Sequence, residues 1–215
     1  MTDALLMSRG ESAEMLYQWV QGELNKAMAS PLLDLGCGTG KFLGQLAHGG
    51  YSGLTGCDGH DFAGRAGFDF VKADLNGKLP FASNQFGVIT AIEVIEHLEN
   101  PRHLLREMFR VLKPGGLAIV TTPNNESLTS LLSLNLRGFY SAFSDADYPA
   151  HITPMLEIDL RRVFRECAFT DVQVKWSGTG RVPGTGLHWQ QASRALFSGK
   201  RFSDQLLVRG LKAPA

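Results

Sequence analysis

Short apolar, β-branched runs recur along the chain with helical stretches between them. They lie at Leu32-Leu33, Leu54-Thr55-Gly56-Cys57, 68–72, 88–92 and 117–121. Runs that are apolar throughout, rather than at every second position, suit strands covered on both faces. Between the last two, Leu104, Leu105, Met108 and Val111 fall on one helical stripe, and Lys113-Pro114-Gly115-Gly116 reads as a stop that turns the chain into the next strand. Strands alternating with helices in this way give a parallel sheet with right-handed crossovers. Further strands are expected over 172–176 and 205–211. The fold class is α/β: a seven-stranded, mostly parallel sheet with helices on both faces.

The spacing of Leu16, Val20, Leu24 and Met28 predicts a first helix over 10–29, and Ser8 and Glu11 have the separation of a capping box at its start. Residues 41–47 predict a helix that Gly49-Gly50 ends, and 156–167 predict another. From 124 to 154 the pattern turns irregular, with Leu128, Phe139, Tyr140, Phe143 and Tyr148 scattered among Ser and Asn. A segment that long between sheet elements is expected to be a lid. With 215 residues there is one substantial core, hence a single domain over 1–215.

The 21 basic and 21 acidic residues cancel, and no Lys/Arg-rich run forms a phosphate-tracking stripe, so nucleic acid is not the expected partner. The opening residues lack a basic region followed by an apolar core, and no run of about 18 apolar residues follows. A soluble, cytoplasmic protein without a transmembrane segment is expected. Cys37, Cys57 and Cys167 are odd in number and lack the close pairing of a zinc site, so they read as buried thiols, with neither disulfide nor metal expected.

Asp34-Leu35-Gly36-Cys37-Gly38-Thr39-Gly40 falls at the first strand-to-helix turn, where glycines let backbone approach a ligand and helix amides point outward. A dinucleotide fingerprint needs a third glycine where Lys41 stands. A phosphate-binding P-loop needs glycine where Leu35 stands and Ser or Thr where Phe42 stands. Both phosphate readings fail on particular residues, which leaves a glycine turn with no ligand or one for a different ligand. Asp58 ends the second strand, where a carboxylate can accept both hydroxyls of a ribose, and Asp74 ends the third, where one can accept from an adenine amino group. Singly, each reads as a solvated turn aspartate. Three acids after three consecutive strands, with Gly59 and Leu75 following two of them, converge on one crevice at the carboxyl end of the sheet.

The GxGxG turn preceded by an acid resembles the first motif of the class I methyltransferases, which share a Rossmann-like fold. The resemblance continues through Phe86-Gly87-Val88-Ile89-Thr90-Ala91-Ile92-Glu93-Val94-Ile95-Glu96-His97-Leu98, which is similar to the fourth-strand motif of enzymes that O-methylate quinone precursors. Leu112-Lys113-Pro114-Gly115-Gly116 and Thr121-Thr122-Pro123-Asn124 match the next two landmarks. The resemblance implies S-adenosylmethionine as cofactor, with S-adenosylhomocysteine as product, and transfer of its methyl group to a small-molecule acceptor at oxygen. That cofactor carries a sulfonium and an ammonium but no phosphate, so an acid beside the turn suits it. The resemblance places Asp34, Gly36, Cys37, Gly38, Gly40, Asp58, Gly59, Asp74, Leu75 and Ile92 around the cofactor, with Ile92 on the adenine or methionine moiety, and sets Glu93 and His97 near the mouth of the site. Helix capping is the alternative for Glu96 and His97. Two departures stand out: only about nine residues separate Asp58 from Phe68, and Gly87 occupies a frequent aspartate position.

For the acceptor, Phe139, Tyr140, Phe143 and Tyr148 are candidates to line an apolar pocket, or else a satellite core under a loop. His151 is the candidate general base, with a structural histidine as the alternative, and Glu93 is a second candidate that would need burial to become comparably basic. The stretch 181–202, with Arg181, Trp189, Phe197 and Phe202, reads as a solvated face with buried aromatics or as peripheral contact with a membrane. A non-catalytic module that binds S-adenosylmethionine and an NAD-dependent oxidoreductase are the competing functions.

Overall fold

The computed structural model describes residues 10–24, 31–62, 67–194 and 196–214. Its centre is one seven-stranded sheet. Strands β1 (Leu32–Leu35), β2 (Leu54–Asp58), β3 (Asp69–Lys72), β4 (Phe86–Ile92) and β5 (Leu112–Pro123) run parallel, and β7 (Gln205–Lys212) lies antiparallel between β5 and β6 (Phe169–Trp176). The order is β3-β2-β1-β4-β5-β7-β6, so the sequence reading of a mostly parallel α/β sheet holds.

Period-two alternation divides the core between the two faces. Leu32, Val88, Ile92, Leu117, Ile119 and Leu207 enter one cluster with α1 (Glu14–Gly22) and α2 (Lys41–His48). Leu33, Leu35, Ile89, Ala91, Ala118, Val120, Leu206 and Val208 enter the other with α3 (Pro101–Val111) and α5 (Glu157–Glu166). Burial on both sides is why these strands read as continuous apolar runs.

Several boundaries differ from the sequence expectation. Helix α1 begins at Glu14 with no side-chain cap, whereas the expected start was residue 10; Ser8 of the expected capping box and residues 25–29 lie outside the described residues. The Glu11 carboxylate is engaged elsewhere, accepting from Thr39 Oγ1 at 3.2 Å and Lys41 Nζ at 3.4 Å. Lys113-Pro114-Gly115-Gly116 does not separate α3 from the next strand: β5 starts at Leu112, opposite Phe86, and these residues make the irregularity before Leu117 pairs with Val88. Segment 124–154 is not irregular throughout. It contains α4 (Leu128–Arg137), capped by Ser127 accepting from Ser130 N at 3.2 Å and closed by Gly138 in the left-handed region. Leu132 and Leu136 on that helix are exposed, so it lacks the buried stripe that reveals a helix in sequence. A four-residue helix, α6 (Trp189–Ala192), precedes β7. Among the described residues no helix is long and apolar enough to cross a membrane.

Candidate active site

The carboxyl ends of β1, β2 and β4 lie side by side, with Asp34 opposite Gly56 on one neighbour and Thr90 on the other. The glycine turn is pinned there, because Gly36 N donates to Cys57 O at 2.7 Å and Gly38 N to Asp58 Oδ2 at 2.9 Å. Asp58 Oδ1 accepts from His60 N at 2.9 Å. Each carboxylate oxygen has a second lone pair, so Asp58 retains acceptor capacity while it shapes the turn. His60 Nδ1 is a buried polar atom with no partner beside it.

The turn glycines answer to the protein's own chain. A Cβ on Gly38 would sit 1.9 Å from Gly10 O, and Thr39 N donates to that same oxygen at 3.1 Å. The segment before α1 therefore lies over the turn. A Cβ on Gly59, by contrast, would meet nothing nearer than Ala73 O at 3.7 Å, which leaves room for a flat group.

Asp34 is buried, and Thr90 Oγ1 donates to it at 2.6 Å. Among the described residues no cation forms an ion pair with it: burial pushes its carboxyl up to about 7, Thr90 opposes the shift, and the Asp58 charge adds to it. Two adjacent carboxylates with acceptor capacity and no cation fit a cationic, hydroxyl-bearing ligand. Because the Asp34 pKa is raised on folding, its contribution to stability is present below 3.8 and is lost as pH rises through about 7. Ligand-free wild type is therefore expected to lose melting temperature between about pH 4 and 7 relative to Asp34→Asn, and parallel profiles in thermal unfolding would remove this role.

Asp74 is exposed and accepts from Asn76 N at 2.9 Å, one strand beyond the other two acids. Leu75 is buried in the core cluster on one face, and Ile92 in the cluster on the other. Cys37 is buried, and the Gly56 Cβ position lies 2.7 Å from its sulfur.

Past β4 the backbone enters a tight corner. Glu93 holds φ 54°, a left-handed conformation uncommon away from glycine, with its carboxyl accepting from Thr121 Oγ1 at 3.1 Å. Burial pushes that carboxyl up to about 7, the condition its candidacy as a base required. Glu96 is fully buried, accepts from Thr122 Oγ1 at 3.1 Å, and is held well above the usual carboxylate range by burial and by Glu93. It is not a helix cap. His97 meets Ala150 O through Nδ1 at 2.8 Å, and burial lowers its pKa. Ile152 N and Thr153 N both donate to Glu96 O at 3.0 Å, so the end of segment 124–154 is fastened directly to the corner.

That segment encloses a cleft of about 360 Å³ lined by Leu134, Phe139, Tyr140, Phe143, Tyr148 and His151 among others. The four scattered aromatics and the histidine thus share one wall. His151 Nδ1 meets Ala142 O at 2.5 Å, and its ring packs edge-on against His97 at 4.8 Å. In 181–202, Trp189, Phe197 and Phe202 pack on one another, while Arg181 pairs with Asp204 and Lys200 with Glu126 and Glu157. Thr90, Thr121, His60 and Glu96 escape the sequence reading as site residues. For Thr90 a signal existed, since it shares the strand face of Val88 and Ile92.

The methyltransferase domain family model matches residues 33–120. The chain is 38% identical over 96 residues to cycloartenol-C-24-methyltransferase 1 of Oryza sativa, covering 39% of this chain and 28% of that protein. It is 24% identical over 157 residues to the ubiquinone biosynthesis O-methyltransferase of Erwinia tasmaniensis, covering 68% of this chain and 60% of that one. The chain thus spans from about a quarter to three fifths of these two relatives. A Thermotoga maritima structure described as an S-adenosylmethionine-dependent methyltransferase and possible histamine N-methyltransferase shares the fold, with TM-score 0.68 and 19% identity over 92% of this chain and 87% of that one. In its strand order, its glycine turn and the segment that the family model matches, the chain is similar to the class I S-adenosylmethionine-dependent methyltransferases.

Proposed function

We propose that the chain transfers a methyl group to a hydroxyl oxygen of a small apolar, aromatic acceptor, and that it does so in the cytoplasm. The observation that carries this reading is the aromatic cleft with His151 in its wall, hydrogen-bonded through Glu96 O to the corner that follows β4. Bound S-adenosylmethionine supplies an electrophilic methyl on an excellent leaving group. The protein's task is then alignment, which supplies about 7–11 kcal/mol in well-ordered systems. Asp58 accepts the ribose hydroxyls, Gly59 leaves space beside them, Ile92 packs on the adenine or methionine moiety, and Asp34 offsets positive charge. Asp74 is exposed, so its role at the adenine amino group is that of a rim acceptor. At the acceptor end His151 takes the hydroxyl proton, with Glu93 the second candidate.

Calorimetry tests the cofactor half: S-adenosylhomocysteine binds and NAD binds far more weakly. A preference for NAD overturns the proposal, and turnover with any phenol or catechol excludes a purely regulatory binding module.

The cleft wall is expected to move. Residues 138–149 hold mostly short turn hydrogen bonds, such as Phe143 N to Tyr140 O at 2.9 Å, whereas Asn124 and Asn125 are buried and bonded to Ser203 O and Met155 O. Hydrogen exchange should be fast over 138–149 in the free protein and slow once cofactor and a bound phenol are present. Strong protection of 138–149 without ligand would make it a rigid insertion instead.

A further inference from the structure

We propose that Glu96, His97 and His151 form a binding site for one divalent transition-metal ion of the zinc class. One ligand atom from each of the three lies within 4.8 Å of the other two, a separation that a single ion can span. The arrangement is built rather than accidental. Glu96 is 0% exposed, yet its Oε1 has no hydrogen-bond partner, and a buried carboxylate oxygen left alone is costly. Among the described residues, neither Glu96 nor Glu93 forms an ion pair.

The two imidazoles have complementary orientation. His97 Nδ1 meets Ala150 O and His151 Nδ1 meets Ala142 O, so each ring donates its Nδ1 proton to a backbone carbonyl, which in the neutral tautomer puts the lone pair on Nε2. Metal-binding histidines are fixed in this way by their outer partners. The site keeps one carboxyl oxygen for a ligand, because Thr122 Oγ1 occupies Glu96 Oε2 and leaves Oε1. It is also preorganised: Ile152 N and Thr153 N bond Glu96 O, and Thr153 Oγ1 donates to Leu98 O at 2.6 Å, locking the two chain segments in register although His151 follows His97 by 54 residues.

Ligand chemistry selects the ion. Two imidazoles and one carboxylate suit zinc and its neighbours, whereas magnesium and calcium prefer oxygen donors. Three protein ligands leave at least one position for water or an acceptor oxygen, and His151 lies at the edge of the aromatic cleft. That last link rests on the proposed function. Ion binding itself does not.

The test titrates zinc(II) into the full chain after chelator treatment, with cobalt(II) absorption as a report on nitrogen ligation. One equivalent should bind, magnesium in excess should not displace it, and His97→Ala and His151→Ala should each weaken binding at least about tenfold, since even outer partners of metal ligands are worth 10- to 100-fold. Thermal unfolding verifies that each variant folds, and because His151 is partly exposed, its variant serves if His97→Ala does not fold. Absence of saturable zinc binding, or binding that both histidine variants leave unchanged, overturns the proposal. A chain that binds zinc but not S-adenosylhomocysteine overturns the proposed cofactor chemistry and leaves the metal site standing.

Discussion

Replacing Asp58 by Ala should weaken S-adenosylhomocysteine binding by about 1.5–3 kcal/mol, roughly 10- to 150-fold in Kd, because hydrogen bonds to an ionised acceptor are lost. The effect has two sources. The proposed ribose contacts disappear, and so do the bonds from Gly38 N and His60 N that hold the turn against the end of β2. Asp58→Asn separates them, since its single amide oxygen can still anchor one of these N–H groups but cannot also accept two hydroxyls. Its affinity should lie between wild type and Asp58→Ala, with a melting temperature closer to wild type. A Kd unchanged in both variants would make Asp58 a purely structural staple of the glycine turn.

The same residue shows how far the sequence could be read. The succession of β1, β2, β4 and β5 follows from their apolar runs and the spacing between them, because both faces are covered and no alternation is needed to recognise them; their order in the sheet does not. Asp34 and Asp58 were legible because they sit at fixed places at the carboxyl ends of such strands. The reason for the glycines was only half legible. A close backbone approach was expected at Gly38, but the partner in the structure is Gly10 O, contributed by a segment 28 residues earlier in the chain. Nothing local encodes that contact.

Side-chain partnerships across strands were similarly hidden. Thr90 and Thr121 hold Asp34 and Glu93 because parallel neighbours place them there, and one sequence carries strand register only weakly. For Glu96 a helix cap stayed open beside a role at the site because a polar residue after a strand is commonly exposed; in the structure it is completely buried, with segment 124–154 bonded to its carbonyl. Helix α4 was missed because it packs few apolar residues, so its spacing carries little signal.

His151 supports the sharpest functional prediction: His151→Ala should lower turnover with the best acceptor from a panel of phenols and catechols by about 10²-fold or more, while Kd for S-adenosylhomocysteine stays nearly unchanged. The imidazole is held by Ala142 O at Nδ1 and flanked by the rings of His97 and Phe143, so Nε2 is the atom presented for chemistry. A base and a metal ligand need that same lone pair and cannot use it together, so the two roles make different demands on one experiment. If His151 is the base, chelator treatment leaves wild-type turnover intact and only the substitution costs rate. If it holds an ion, chelation reproduces the loss seen in His151→Ala, and zinc restores wild type but not the variant. Should the side chain merely shape the cleft, the acceptor KM rises while kcat falls less than about threefold, and alignment of the bound reactants carries the reaction.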